Sequence, residues 1–345
     1  MNYFQHYLVE EFAEDYQEGR LSRRDALKLI TSVTGSMMMA TSILAACAPV
    51  PGETPTANMP ETDTPVALAT EAPTSASLSQ TQPTRTETVA EATPPSTPPP
   101  APASGTVNPD DPAIKAAGIQ FQGEGAMLMG YLAQPSGEGS FPVVMVCHEN
   151  RGLTDHIQDV TRRLAKAGFV ALAVDLLSRQ GGTGTVGSEN VPGVLGTISS
   201  EHPGQFVQDF CSGWKYLKAQ SLAQGDRVGM VGFCFGGGVT WQVATKMPEL
   251  LAAVPFYGPH PPVEDVPNIQ AAVLAIYAER DQRINQGIPA IEEAMKQHKK
   301  IYEKVIYPNT DHAFHNDTGS RYNPEAAQDA WQRTIDWFTK YLKRP

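Results

Sequence analysis

Short apolar runs alternate with segments of helical periodicity from about residue 113 to the end of the chain. Runs such as residues 142–147 and 169–174 are continuously apolar, which is typical of parallel strands buried on both faces. This alternation predicts an α/β fold with a mostly parallel central sheet and helices on both faces. The predicted strands are residues 126–133, 142–147, 169–174, 227–233, 251–257, 271–277 and 302–307, and the predicted helices are residues 155–167, 206–219, 235–246, 288–298 and 324–342.

The composition divides the 345 residues into three parts. Residues 1–47 have the pattern of a targeting segment. Residues 48–112 are rich in Pro, Thr, Ser and Ala, a composition that buries little apolar surface and favours an extended linker. Residues 113–345 are long enough for one sizeable core. We therefore expect a targeting segment, a disordered linker and a single folded domain.

The targeting segment resembles a bacterial export signal. Arg23 and Arg24 precede an apolar stretch over residues 29–46, as in twin-arginine signals, although Ala26 stands where those signals usually carry a larger apolar residue. The stretch ends in Leu-Ala-Ala-Cys at Cys47, which is similar to the lipobox of bacterial lipoproteins. The resemblance implies a lipid on Cys47 and a location outside the cytoplasmic membrane. The alternative interpretation is a transmembrane anchor that happens to end in a cysteine.

The first 20 residues precede this signal and have a pattern of their own. Phe4, Tyr7, Leu8 and Phe12 are spaced like one face of a helix that Gly19 could end. Nothing in the pattern suggests a role beyond targeting.

Charge and cysteine usage exclude several classes of function. The net charge is −11 and no basic patch stands out, which argues against a nucleic-acid partner. The four cysteines have neither metal-ligand nor disulfide-framework spacing, so we expect no metal and no cofactor. Cys147 lies in an apolar run and Cys211 in a predicted helix, so both are interpreted as core residues.

The strongest chemical signal surrounds Cys234. The segment Gly-Phe-Cys-Phe-Gly-Gly-Gly over residues 232–238 follows a predicted strand and precedes a predicted helix. It has the Gly-x-nucleophile-x-Gly pattern of a nucleophile elbow, with cysteine in place of serine. Such a turn lifts the nucleophile to the carboxyl edge of the sheet, where the Phe235 N–H and the helix N-terminus favour an anion. The alternatives are an inert buried thiol or, less well matched, a dinucleotide-binding turn.

A nucleophilic thiol needs a base, and the base needs an orienting acid. In α/β-hydrolases the chain order is nucleophile, acid, histidine, each after a later strand. Asp281 follows the predicted strand 271–277, and His312 follows the predicted strand 302–307. We therefore predict a Cys234–His312–Asp281 triad, with Glu279 and Asp311 as competitors for the role of the acid.

Together these residues resemble the dienelactone hydrolase family of the α/β-hydrolase superfamily, over roughly residues 113–343. The resemblance implies that Glu149 pairs with the resting thiol and that the backbone N–H groups of Asn150 and Phe235 form the oxyanion hole. It also implies that Arg179 binds a substrate carboxylate. The alternatives are that Arg179 pairs with Asp175 and that Glu149 forms a salt bridge with Arg151. A second family arginine is absent, because His315 and Asn316 stand in its place. A two-arginine clamp, and with it dienelactone as the substrate, is thus in doubt.

The predicted activity is hydrolysis of a small-molecule ester or lactone through a covalent thioester. The same triad would also serve an acyltransferase or a thioesterase, and a catalytically silent, lipid-tethered binding protein is a further alternative. The Gly-rich stretch over residues 181–204 has no regular periodicity and is predicted to overhang the site as a lid or pocket wall.

Overall fold

A computed structural model describes residues 1–47 and 105–343. Most of the predicted linker, residues 48–112, lies outside the described residues. The strands are β1 (Ile114–Gln122), β2 (Met127–Pro135), β3 (Phe141–Cys147), β4 (Val170–Asp175), β5 (Ala223–Phe233), β6 (Ala252–Phe256), β7 (Ala272–Ala278) and β8 (Tyr302–Tyr307). The helices are α1 (Tyr3–Gln17), α2 (Arg23–Thr34), α3 (Met37–Ala46), α4 (Asp155–Lys166), α5 (Thr183–Val186), α6 (Val191–Glu201), α7 (Gln205–Lys218), α8 (Phe235–Lys246), α9 (Gln282–Asn285), α10 (Ile288–Gln297) and α11 (Pro324–Leu342), with short 3₁₀ turns at Ser178–Gln180 and Val263–Asn268.

One eight-stranded sheet with the order β1-β2-β4-β3-β5-β6-β7-β8 forms the centre of the fold. β1 and β2 pair antiparallel, as do β2 and β4, and every other pairing is parallel. All residues of β4, β6 and β7 are buried, as their continuous apolar sequences predict. The predicted α/β fold with a mostly parallel sheet is confirmed, and the carboxyl ends of β3 to β8 meet at one edge.

β1 and residues 181–204 differ most from the prediction. β1 was not predicted, because its sequence alternates in burial and contains Gly118 and two glutamines, so no apolar run marks it. Residues 181–204 were predicted to be irregular, but they contain α6. Gly193 and Gly196 of α6 lie so close to Ser32 and Val33 of α2 that an added Cβ would be 2.7 Å and 3.2 Å from their side chains. Close packing between two helices, rather than intrinsic helix propensity, thus stabilises α6.

The N-terminal segment folds against the domain. α1 begins at a capping box on Asn2, and its face with Phe4, Tyr7, Leu8 and Phe12 is buried, as its spacing predicts. The apolar stretch 29–46 is not one helix, because Gly35 adopts a left-handed conformation (φ 69°) and ends α2.

α2 buries one face and exposes the other. Ala26, Ile30 and Val33 are buried, whereas Arg23 and Arg24 at its N-terminus are exposed. Among residues 1–47 and 105–343, no helix has both the length and the apolar character needed to cross a membrane.

The packing of α11 on β5 gives a test of the core. A Cβ at Gly229 would lie 2.8 Å from the Phe338 ring and 2.9 Å from Leu342. We expect Gly229→Ala to lower the free energy of unfolding by about 1–3 kcal/mol, because the core must shift to accept a methyl group. Gly118→Ala in β1 is the matched control, since a Cβ there meets nothing within 4 Å. Urea unfolding of both variants measures the difference, and equal stabilities would contradict the described packing.

Candidate active site

Cys234 lies at a strained turn between β5 and α8. Its φ of 59° and ψ of −121° are rarely adopted by a residue with a side chain. The turn is possible because its neighbours lack side chains: a Cβ at Gly232 would lie 2.2 Å from the Gly236 carbonyl oxygen, and one at Gly237 would lie 2.4 Å from that of Phe256. The Cys234 N–H donates to the Phe256 carbonyl at 3.1 Å, which ties the turn to β6. The geometry is that of a nucleophile elbow.

His312 and Asp281 meet at the same edge of the sheet. The His312 Nδ1 is 2.6 Å from Asp281 Oδ2, and both side chains are buried. A His312 ring nitrogen also lies within 4.8 Å of the Cys234 sulfur. Burial alone lowers the pKa of His312, but the charge and hydrogen bond of Asp281 outweigh it and raise the pKa to about 10. Burial alone raises the pKa of Asp281, and His312 reverses this, so the net pKa is below its usual range.

The two competing acids have other partners. Glu279 accepts a hydrogen bond from the Asn309 N–H at 2.7 Å. Asp311 pairs with Arg280 at 3.6 Å on the half-exposed rim. Asp281 is therefore the carboxylate that orients His312.

The resting thiol has partners that the sequence did not predict. Cys234 Sγ is 3.2 Å from the Tyr7 hydroxyl and 3.6 and 3.7 Å from the two carboxylate oxygens of Glu11. The same Tyr7 hydroxyl lies 3.4 Å from His312 Nε2. Burial is the largest cause that raises the pKa of Cys234, and the charge of Glu11 is the next. The hydrogen bond to His312 lowers the pKa, but by less, so the net pKa is raised. Burial and the Glu11 charge thus favour the neutral thiol in this arrangement.

Glu149 was predicted to pair with the thiol, but its carboxylate instead accepts a hydrogen bond from the Asn316 amide at 2.7 Å. The position beside the sulfur is occupied by Glu11. Asn150 contributes to this arrangement, because its side-chain amide donates to Glu11 at 3.0 Å. Phe235 begins α8 directly after the nucleophile, where the first N–H groups of a helix have no partner within the helix.

Arg179 was predicted to hold a substrate carboxylate. Its guanidinium instead binds both carboxylate oxygens of Asp209 on α7, at 2.7 Å each, and donates to the Glu124 carbonyl at 3.0 Å. The other partner considered for it, Asp175, accepts hydrogen bonds from residues 177 and 183. Arg179 therefore joins α7 to the β1–β2 turn and does not line the cavity beside Cys234.

Two other arginines lie close to the nucleophile. The terminal guanidinium nitrogens of Arg283 are buried; the side chain pairs with Glu14 at 3.2 Å and lies over the Tyr7 ring, with its guanidinium carbon 4.5 Å from the ring centroid. Arg321 pairs with Asp15 at 3.3 Å. A cavity of about 200 Å³ remains beside the sulfur; its lining includes Glu11, Phe12, Asn150, His312, Asn316 and Arg321.

Sequence reasoning missed Tyr7 and Glu11 because 227 and 223 residues separate them from Cys234. One signal was available. Glu11 falls on the same helical face as Tyr7 and Leu8, at spacings of four and three residues, and an acid on an otherwise apolar face needs a buried partner.

The four cysteines are all free. Cys147 is fully buried in β3, and burial raises its pKa well above the ordinary value. Cys211 is half-buried, with its pKa raised for the same reason, and Cys47 follows the last residue of α3. Glu11, Cys234 and His312 each place one potential metal-ligand atom within 4.8 Å of the others.

An elbow after a central strand, with an acid and a histidine after later strands of a mostly parallel sheet, defines an α/β-hydrolase. A family model described as the dienelactone hydrolase family matches residues 128–342. The chain belongs to the dienelactone hydrolase family, and it is a carboxylic ester hydrolase of that type.

Similar proteins support this membership. A protein of Methylorubrum extorquens assigned as a carboxymethylenebutenolidase is 34% identical over 254 residues, which cover 70% of this chain and 87% of the relative. A protein of Saccharolobus solfataricus with the same description is 32% identical, and the match covers 65% of this chain and 98% of that relative. A crystal structure assigned as a dienelactone hydrolase from Klebsiella pneumoniae has 31% identity and a TM-score of 0.61, and covers 66% of this chain and 100% of that chain.

The raised pKa of His312 predicts how the His312–Asp281 pair contributes to stability. A histidine whose pKa rises from 6.5 to about 10 on folding stabilises the fold fully below pH 6.5, and this contribution is lost as the pH rises through about 10. We expect Asp281→Asn to lower the free energy of unfolding near neutral pH. The difference in the free energy of unfolding between the wild type and Asp281→Asn should shrink as the pH rises, by up to about 1.4 kcal/mol per pH unit.

The measurement is urea unfolding at a series of pH values. Asp311→Asn is the matched control, because it removes the same charge next to His312 from a half-exposed pair. A deficit that is independent of pH would show that Asp281 does not control the protonation of His312.

Proposed function

We propose that this protein hydrolyses a small ester or lactone through a thioester on Cys234, with His312 as proton carrier and Asp281 as its orienting acid. The observation that supports this most directly is the left-handed elbow that holds Cys234 beside the 2.6 Å His312–Asp281 pair. Family membership supports the hydrolase chemistry, and the residues of this chain supply the individual roles.

The first step is acylation. The Cys234 thiolate attacks the substrate carbonyl carbon, a C–S bond forms, and the carbonyl electron pair moves onto oxygen. The backbone N–H groups of Asn150 and Phe235 are proposed to hold this oxyanion, where one donor is typically worth about 3 kcal/mol. As the tetrahedral intermediate collapses, the C–O bond to the leaving group breaks, and the alkoxide takes a proton from the His312 imidazolium.

The second step is deacylation. Neutral His312 takes a proton from water, and the hydroxide attacks the thioester carbonyl. The C–S bond breaks, the acid leaves, and the thiolate–imidazolium pair is restored. Asp281 keeps the Nδ1 of His312 engaged throughout, so that Nε2 is the nitrogen that exchanges protons.

We further propose that the enzyme is exported and anchored by a lipid on Cys47, outside the cytoplasmic membrane. The adjacent Arg23 and Arg24, the apolar stretch that follows and the small residues before Cys47 support a twin-arginine lipoprotein signal. The exposure of Arg23 and Arg24 in the folded chain is compatible with recognition by an export receptor.

The nucleophile is tested with the full chain and 4-nitrophenyl acetate. We expect Cys234→Ala to lower kcat/KM by about 10³-fold or more, because the acylation step is lost. Cys234→Ser should be much slower than the wild type, since a hydroxyl is far less acidic than a thiol. Mass spectrometry of acid-quenched reactions should find an acyl group on the peptide that contains Cys234.

Cys147→Ala is the matched control, because it removes a buried thiol from the neighbouring strand β3. It should retain hydrolysis at some cost in stability. Full turnover in Cys234→Ala, or acylation of another residue, would reject the proposed mechanism.

The anchor is tested by expression of the full chain in a bacterium with twin-arginine export. Labelled fatty acid should be incorporated into the wild type and Cys211→Ala but not into Cys47→Ala, because only Cys47 follows the small-residue motif. Continued labelling of Cys47→Ala would refute the lipobox.

A further inference from the structure

Helix α1 covers the nucleophile. Cys234 is 3% exposed and His312 is 5% exposed; the Tyr7 hydroxyl contacts both side chains, and the Glu11 carboxylate contacts the sulfur. Phe4 continues the same face, with its ring 4.7 Å from that of Phe235. The segment that the sequence assigns to targeting is therefore a component of the active site in the full chain.

The Glu11 side chain has the chemistry of a bound reaction product. Its carboxylate oxygens lie 3.6 and 3.7 Å from the Cys234 sulfur, and one of them accepts a hydrogen bond from the Asn150 amide. A hydrolysed ester leaves a carboxylate at this position, next to the sulfur and a hydrogen-bond donor. Glu11 therefore occupies the place where the substrate's carbonyl group would have to lie.

Tyr7 and Glu11 also act on the nucleophile itself. The Tyr7 hydroxyl contacts both Cys234 Sγ and His312 Nε2, so it lies between the nucleophile and its base. Burial of Cys234 and the negative charge of Glu11 both favour the neutral thiol. The thiolate is the reactive species, so the docked helix opposes catalysis electrostatically as well as sterically.

Ion pairs attach α1 to the rim of the site. Glu14 pairs with Arg283 and Asp15 pairs with Arg321, at 3.2 and 3.3 Å. The Arg283 guanidinium is buried and makes no other ion pair among the described residues. These contacts lie on one face of α1 and orient Glu11 toward the sulfur.

We propose that α1 is an intramolecular pseudosubstrate, which lowers the reactivity of Cys234 while residues 1–47 remain attached. This inference rests on the proposed role of Cys234 as the nucleophile. If the peptide bond before Cys47 is hydrolysed, as the proposed signal requires, the segment is held only by noncovalent contacts and loses the high effective concentration that its tether provides. Processing would then activate the enzyme after export.

The test compares full-chain variants in which α1 is altered conservatively. Glu11→Gln keeps the side-chain volume but removes the charge beside the sulfur, and Glu14→Gln/Asp15→Asn removes the two ion pairs that attach the helix. Glu18→Gln is the matched control, because it makes the same change at an exposed position at the end of α1. Circular dichroism confirms that each variant is folded.

The primary readout is the rate at which iodoacetamide alkylates Cys234, followed by mass spectrometry. The second is kcat/KM for 4-nitrophenyl acetate. Both are measured with EDTA present, since a metal ion held by Glu11, Cys234 and His312 would also protect the thiol. In Glu11→Gln and in Glu14→Gln/Asp15→Asn, we expect the alkylation rate of Cys234 and kcat/KM each to be about tenfold or more higher than in the wild type. Both quantities should be the same in Glu18→Gln as in the wild type.

The two proposals fail in different ways. Alkylation that is unchanged or slower in both Glu11→Gln and Glu14→Gln/Asp15→Asn would overturn the pseudosubstrate. A loss of hydrolysis in these variants would overturn it too, and would show that α1 completes the catalytic site instead. Faster alkylation of Cys234 without any Cys234-dependent hydrolysis would support the closure of the site by α1 and refute the proposed hydrolase mechanism.

Discussion

The left-handed backbone at Cys234 is the constraint on which the rest of the site depends. A φ of 59° in a residue with a side chain costs about 1–3 kcal/mol and persists only where neighbouring structure enforces it. Here the enforcement comes from glycines that allow α8 to approach β3 and β6, and from a hydrogen bond to the Phe256 carbonyl. The parallel sheet then places Asp281 and His312 at the same edge without any further adjustment of the chain.

Charge balance around the sulfur decides what this geometry can do. Three carboxylates lie close to it: Asp281 serves His312, Glu149 is bonded to Asn316, and Glu11 faces the thiol directly. Only the first of these assists a thiolate, because its charge favours the imidazolium; the other two oppose ionisation of Cys234. A site of this composition is less reactive as long as Glu11 remains in place. Withdrawal of α1 would remove the Glu11 charge and part of the burial, which are the two largest causes of the raised pKa of Cys234.

The sequence predicts those features that are local or follow from chain order. Buried parallel strands leave continuous apolar runs, so β3 to β7 can be identified, and the order of Cys234, Asp281 and His312 along the chain predicts that they meet at one edge of the sheet. Pairings between distant segments could not be inferred in this way. The partner of Arg179 is Asp209 on α7, and no pattern distinguishes that acid from others on predicted helices. Likewise, α6 has glycine and proline in a sequence of low helical propensity, and its contact with α2 is visible only in three dimensions.

Because α2 has one buried and one exposed face, a binding partner could distinguish the folded chain from the unfolded chain at this helix. In the folded protein Arg23 and Arg24 are exposed, while Ala26, Ile30 and Val33 of the same helix are covered. In an unfolded chain the arginine pair and these apolar side chains are accessible together. A receptor that binds the arginines alone accepts both states, whereas a chaperone that needs the apolar residues as well binds only the unfolded one. The same twelve-residue helix thus offers two different binding surfaces. The folded protein exposes only the arginine pair, and the unfolded chain exposes the arginine pair together with the apolar residues.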